Sequence, residues 1–413
     1  DCLHFFFFLK MSNAFQGVSS GLAELKNYYQ GPIVDLINEE IPIYRACEKV
    51  KQGWSGYQVI RPLRTSRNQG VGATSDGGNL PKIGRQTTVQ AIIAAKYNYL
   101  RFGVTGPMIK ASQSDVGSFV RSAAYELEMG YKDMKTEISR QLSWDGTGDL
   151  ALVSTAAVAS TSLVISGRTT GEAALKYIDV NSTFDIVTTA GAVIATGVTV
   201  NSISSGTAIS STATLVIDQA VTASVGHVLI RTGSAGNEIQ GLLYALDGGT
   251  STVYSVDRST NLAYQGNVTD LSSGVLTIDA MQTPFNEGLR RGNVNGYNAA
   301  WCDFTGIRYY QKLLTPDKRY ANTSEGDGTF GSKGKFYLDF NGIPMVPDKD
   351  MSLKFMFLPA EVLKMYELAA MEFADETGSM YIAQTDVDAL EVRIRHFVNL
   401  FNEQPAACGV LQG

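Results

Sequence analysis

The cleanest period of two in the chain lies near its end, where Leu390, Val392, Ile394, Val398 and Leu400 fall on one face of an extended strand and Glu391, Arg393, Arg395 and Asn399 on the other. His396 joins the apolar face and reads as a hydrogen-bonded core histidine, since nothing in the sequence pairs with it. Between Ser114 and Leu142 the period changes. Val116, Phe119, Val120, Ala123, Leu127, Tyr131, Met134 and Ile138 recur at steps of three and four, the signature of one apolar helical stripe. Such a helix is roughly 40 Å long at about 1.5 Å per residue. Gly130 is a candidate bend, and Glu126, Glu128, Asp133 and Glu137 lie largely off the stripe. The helix ends at Trp144-Asp-Gly-Thr-Gly148.

Ahead of this helix, residues 55–105 read as an extended two-stranded loop. Its first limb, Gly56 to Ser66, contains Pro62, which cannot donate to a ladder and suits an edge or a ribbon. The stretch 68–79 is rich in Gly and Asn and forms a turn region. The returning limb, Arg85 to Thr105, is rich in Val, Ile, Tyr and Phe without clean alternation, so neither face is marked for burial and a projecting ribbon is expected. An isolated hairpin is marginal in water, so this loop is expected to rest on another copy of the chain. Arg61, Arg64, Arg67, Lys82 and Arg85 make it basic, and Glu126, Glu128, Asp133 and Glu137 of an adjacent subunit are the candidate partners.

Residues 151–236 change character. Leu163-Val-Ile165, Ile186-Val187, Val193 to Val200, Leu215-Val-Ile217 and Val228-Leu-Ile230 are short β-branched runs between Gly, Ser, Thr and Asn, which predicts an inserted all-β module, a small barrel or a sandwich. Ser162-Leu-Val-Ile165 and Thr214-Leu-Val-Ile217 form a weak internal echo. After Asn237 the pattern is α+β. Thr277 is placed to cap a helix carrying Ile278, Met281, Phe285 and Leu289, although Pro284 would kink that helix or move its start. There follow a strand at Tyr297 to Cys302, a helix at Gly306 to Leu314, and a hairpin at Phe336 to Val346 turning at Asn341-Gly342. Next come a strand at Leu353 to Leu358 and a helix at Ala360 to Ala370, with Pro359 in its first turn. Residues Met11 to Val50 read as an arm with short helices such as Gly31 to Glu40.

Composition narrows the function. A chain of 413 residues should hold two or three compact units. The net charge of −6 argues against a dedicated nucleic-acid binder, which needs a basic face to neutralise phosphates. Between Ala151 and Pro284 the only basic residues are Arg168, Lys176, Arg231 and Arg258. Cys2, Cys47, Cys302 and Cys408 are widely spaced and read as reduced thiols, neither a zinc site nor a disulfide framework. The opening residues 1–10 make a poor signal peptide, Met11-Ser-Asn-Ala reads as the natural start, and no segment is long enough to span a membrane. Gly326 to Lys335 has a P-loop composition with Ser332 where the lysine belongs. Asp145 to Asp149 suggests a calcium loop, but Leu150 and Ala156 replace its glycine and bidentate glutamate. No nucleophile elbow, H-E-x-x-H or protease cysteine context occurs, so no catalytic residue, cofactor or metal is expected.

Taken in order, these features resemble the major capsid proteins of tailed bacteriophages with the Hong Kong 97-type fold. The resemblance rests on the arm, the extended loop, the long helix closing in Trp144-Asp-Gly-Thr-Gly148, Gly233-Ser-Ala-Gly-Asn-Glu-Ile-Gln-Gly-Leu242, Val256-Asp-Arg-Ser-Thr260, Gly342-Ile-Pro-Met-Val346, Met351, Asn399-Leu-Phe and Pro405-Ala-Ala-Cys-Gly. It implies an α+β chain divided into an N-terminal arm (1–54), extended loop (55–105), spine helix and peripheral domain (106–150), β-rich insertion (151–236), axial domain with part of the peripheral domain (237–385), and a closing strand and tail (386–413). It further implies self-assembly into hexamers and pentamers of an icosahedral head around double-stranded DNA, built in the host bacterial cytoplasm with a portal and without a membrane. The insertion departs from the minimal fold. Met11 lies directly before the arm, so scaffolding is expected from a separate protein or from none, and a decoration protein is a further candidate partner. Some members of the family join a loop lysine to a neighbour's asparagine; Lys82 is the lysine near the loop tip here, and it reads as an ordinary exposed side chain, so no covalent cross-link is expected. An adhesive or carbohydrate-binding β protein is the alternative that the Ser/Thr-rich insertion suggests.

Overall fold

The computed structural model describes residues 42–105, 122–314 and 338–412, apart from short breaks at 170, 272–274, 293–295, 353, 360–361, 375–380 and 384–387. The early helix Gly31 to Glu40 and the glycine-rich stretch Gly326 to Lys335 lie outside the described residues. The architecture is α+β, with two larger sheets, a closed barrel, a three-stranded sheet that forms the basic arm and a two-stranded ribbon at Thr252–Val253 and Val256–Asp257.

The strand Ala389–Asn402 organises the first sheet. It pairs antiparallel along Lys96–Thr105, and it also pairs with Leu363–Phe373 and Tyr381–Ala383. Its period of two is as expected: Val392, Ile394, Val398 and Leu400 are buried, and they pack with Met134, Ile138 and Leu142 of the helix Ser122–Leu142. The last third is covered on both faces, so Asn399 and Phe401 are fully buried too. Of the expected helical stripe, residues 116–120 lie outside the described residues, and Tyr131 is a half-exposed edge. Gly130 serves packing: a Cβ there would meet Leu100 Cδ2 at 2.8 Å, so the glycine lets the helix approach the sheet.

Two expectations are corrected here. Lys96–Thr105 belongs to this sheet and not to a projecting ribbon. Its mixed pattern reflects one face under the helix and one face bearing Tyr97 and Tyr99, which both stack edge-on against Phe397. The helix expected at Ala360 to Ala370 is instead the strand Leu363–Phe373. Its Leu, Met, Ala and Glu residues favour helix intrinsically, but pairing with the long strand satisfies its backbone groups and overrides that preference.

The second sheet has six strands in the order Val268–Asp270, Gly409–Gln412, Phe355–Pro359, Tyr297–Cys302, Ile343–Pro347, Asp339–Phe340. The helix Ile278–Arg291 begins at Thr277, whose Oγ1 accepts the Ala280 amide at 3.1 Å, and holds Pro284 inside. The helix Phe304–Leu314 buries Ile307 and Tyr310 in the same core as Phe340 and Phe357. Asn341 and Gly342 both take positive φ, 51° and 78°, in a two-residue turn.

Between the two sheets in sequence, six strands close into a barrel: Thr212–Ala223, Ala157–Ser166, Asp149–Val153, Val228–Arg231, Thr183–Val187 and Val193–Ser205. Alternate residues, among them Leu163, Ile165, Leu215 and Ile217, fill its interior. The two echoed runs are antiparallel neighbours, with Leu215 opposite Leu163. Closure leaves no strand edge open.

Candidate functional site

The arm pairs Gln58–Ser66 with Thr87–Ala94, and its two ends differ. At the base, Val59, Ala91 and Ile93 are buried against Tyr254, Tyr264, Tyr366 and Phe401. The Ile92 amide donates to the Tyr254 carbonyl at 2.9 Å, and Asn399 Nδ2 donates to the Ala94 carbonyl at 2.8 Å. The base of the arm is therefore rooted on its own body, which corrects, for that part of it, the expectation that the loop rests on another copy of the chain. Beyond Ser66 the tip is exposed, and it carries Val71, Leu80 and Ile83 fully in solvent.

The expected contact residues separate accordingly. Arg61 Nη2 donates to Glu403 Oε1 of its own chain at 2.5 Å, so it already has a partner. Among the described residues Arg64 donates only to the Ser66 carbonyl, at 3.3 Å. Arg67, Lys82 and Arg85 are exposed and make no ion pair among the described residues. On the helix, Glu128 is exposed and lies 3.6 Å from Lys132, and Asp133 is exposed. The side chain of Glu126 lies outside the described residues. Glu137 is taken up within the chain, by Arg140 at 2.6 Å and Arg231 at 2.9 Å. Burial would raise its carboxyl, but these two guanidinium groups hold it down to about 2.

The sequence reading missed the polar network at the root of the barrel. The Arg140 side chain, almost wholly buried, binds Glu137, Glu238 and the Asp149 carbonyl. Arg168 has no exposed side-chain surface; it lies 4.3 Å from the ring centres of both Trp144 and Tyr177 and donates to Glu172 at 2.8 Å. Lys176 Nζ adds a bond to Glu172 at 2.9 Å, and Tyr177 reaches Asp350 at 3.3 Å. Burial acts to raise Glu172, but its hydrogen bonds and charge contacts with Arg168 and Lys176 outweigh that and hold it to about 2. All four basic residues noted between 151 and 284 have such partners, Arg258 being tied to Asp247 at 2.6 Å. The signal available in sequence was their rarity: a lone arginine in an uncharged stretch is placed where a carboxylate awaits it.

Beside this network, a cleft of about 1150 Å³ opens between the barrel and the second sheet, lined by Lys176, Ile209, Asp303, Arg308, Tyr309 and Asp348, among others. Burial raises Asp348 to about 6. Cys47, Cys302 and Cys408 are buried, and burial pushes their thiols up to about 12, away from nucleophilic use at neutral pH. His396 is fully buried, as expected, yet it does have a partner: its Nε2 lies 3.4 Å from Glu367 Oε1. Among the described residues no group of three or more His, Cys, Asp or Glu is placed to hold a metal. No described helix is long and apolar enough to cross a membrane.

No protein-family model matches the sequence, and no curated protein does. Solved structures do match, and over nearly the full chain. The chain of a cyanophage A-1(L) capsid asymmetric unit aligns with a TM-score of 0.60 at 12% identity, covering 96% of this chain and 98% of that one. The capsid of a native GTA particle, computed with C5 symmetry, aligns with a TM-score of 0.54 at 7% identity over 97% and 99%. A chain from Mycobacterium phage Bobi aligns with a TM-score of 0.50 at 8% identity over 97% and 99%. At these identities the likeness is one of fold, and the chain has the fold of the cyanophage and GTA capsid chains.

Proposed function

We propose that this chain is the major capsid protein of a tailed phage, assembling with itself into hexamers and pentamers of an icosahedral head around double-stranded DNA. The observation that carries this reading is the end-to-end correspondence with the cyanophage capsid chain, which leaves almost nothing of either chain unmatched. A rooted arm with an exposed, partly apolar tip supports it, because such a tip gains stability only from a neighbour. The Hong Kong 97-type layout then assigns Gln58–Ser66 and Thr87–Ala94 to the extended loop. Ser122–Leu142 and the sheet around Ala389–Asn402 become the peripheral domain, the six-stranded sheet the axial domain, and the barrel an insertion.

In this reading the role is structural, without catalysis or cofactor. Partners besides the chain itself are a portal, a separate scaffold or decoration protein, and DNA touched without sequence preference. A net charge of −6 suits a wall that encloses DNA without gripping it. Assembly takes place in the host cytoplasm and the product resides in the virion. Light scattering of the purified chain, followed by electron microscopy, tests the proposal: capsomers or shells far above the 44.6 kDa monomer are expected. A monodisperse monomer under every salt and scaffold condition would overturn it.

A further inference from the structure

The barrel joins the rest of the chain at one end, where Asp149 lies opposite Ile230 and Arg231 reaches Glu137 of the long helix. Its opposite end is formed by residues 154–160, 188–196 and 219–227, brought together by the pairings Ala223 with Ala157 and Val228 with Val187. These three segments contain no Asp, Glu, Lys or Arg and no Phe, Tyr or Trp; their one ring is His227, whose Nδ1 accepts the Ser224 amide at 3.0 Å. They do expose aliphatic side chains: Val158 is 79% and Val225 64% accessible, and Val193 and Ile194 stand beside them in solvent. The loops are held in shape by the chain itself. The Thr188 amide donates to the Ala192 carbonyl at 2.8 Å around Gly191 in a positive-φ conformation, and Thr222 Oγ1 accepts the Ala159 amide at 3.1 Å. The Gly226 amide donates to the Val153 carbonyl at 2.9 Å.

An exposed aliphatic end with fixed loops is preorganised for contact. It offers no lysine or arginine for phosphate and no Phe, Tyr or Trp ring on which a sugar could stack, so nucleic acid and carbohydrate lack their usual means of recognition. Closure of the barrel removes strand-edge pairing, so contact runs through these side chains. When a surface meets its own copy about a twofold axis, each charge is brought near its duplicate and repels it, and an uncharged surface avoids that cost. From these observations we infer that the far end of the barrel is a self-association surface, docking against the same end of the barrel in a second copy. The inference rests on the shell reading above.

The test uses the full chain bearing Val225→Asp or Val225→Lys. Val225 is exposed, so both variants should keep the wild-type thermal unfolding curve. Each alone should give about tenfold fewer shells than wild type, because like charges meet across the contact. An equal mixture of the two should recover assembly, since opposite charges then face each other. Oxidised particles of Val225→Cys in a Cys2→Ser background should also give a dimer band on a non-reducing gel that Cys2→Ser alone does not, the cysteines at 47, 302 and 408 being buried. Wild-type assembly by both single variants overturns the inference. So does failure of one sign alone or failure of the mixture to recover, since either means that the surface meets a different partner. A wild-type chain that forms no shell fails the underlying reading instead.

Discussion

Arg168 keeps a full charge without exposed side-chain surface, and this is tolerable only because Glu172, Tyr177 and the Trp144 ring replace its water. The Glu172 carboxyl titrates below its ordinary range, so its contribution to folding is complete above about pH 4.5 and is lost as pH falls through about 2. Glu172→Gln should therefore lower stability at pH 7 by about 3 kcal/mol, the cost of leaving a buried guanidinium without its carboxylate. It should also flatten the part of the acid-unfolding curve between those two pH values. Circular dichroism during an acid titration gives the answer, and an unchanged midpoint in the variant would contradict the assignment. The residue scale is also where sequence reading reached least. His396 was placed correctly in the core, but its carboxylate partner, Glu367, lies on the neighbouring strand, where the ladder sets it opposite Val398, two residues along from the histidine.

At the scale of elements, the arm divides into a rooted base and an exposed tip, and the division changes which charges can serve a neighbour. Arg61 and Glu137 are engaged within the chain, whereas Arg64, Arg67, Lys82 and Arg85 present their charge outward. Reversing Arg64 and Arg67 to Glu together is expected to impair shell formation while leaving the subunit folded. Exposed ion pairs contribute only about 0.2–1 kcal/mol each, but a shell repeats the contact many times. Shells of normal yield and morphology from the double variant, seen by microscopy, would remove these arginines from the assembly contact. The elements themselves were unequally legible. Thr277 and Asn341-Gly342 announce a cap and a turn through local backbone chemistry alone. Leu363–Phe373 did not announce itself, because its residues prefer a helix until the long strand offers a ladder.

For the whole molecule, shell strength is expected to come from repeated non-covalent contacts. Lys82 is exposed and is touched by no carboxylate among the described residues of its own chain, and without such a group its amine stays protonated at neutral pH and is not a nucleophile. Mature particles boiled in denaturant should run as a single band near 44.6 kDa. A ladder of multimers that disappears in Lys82→Arg would refute this. By itself the sequence determined the long alternating strand, the amphipathic helix, the all-β character of 151–236 and the basic loop, because each is written in the repeat of a single backbone conformation. Only the tertiary structure decided that Lys96–Thr105 leaves the arm for the central sheet, that the insertion closes as a barrel, and that four scattered basic residues are held by carboxylates. Those outcomes depend on partners far away in the chain: a strand's backbone groups and a buried charge are satisfied only by what the fold brings beside them.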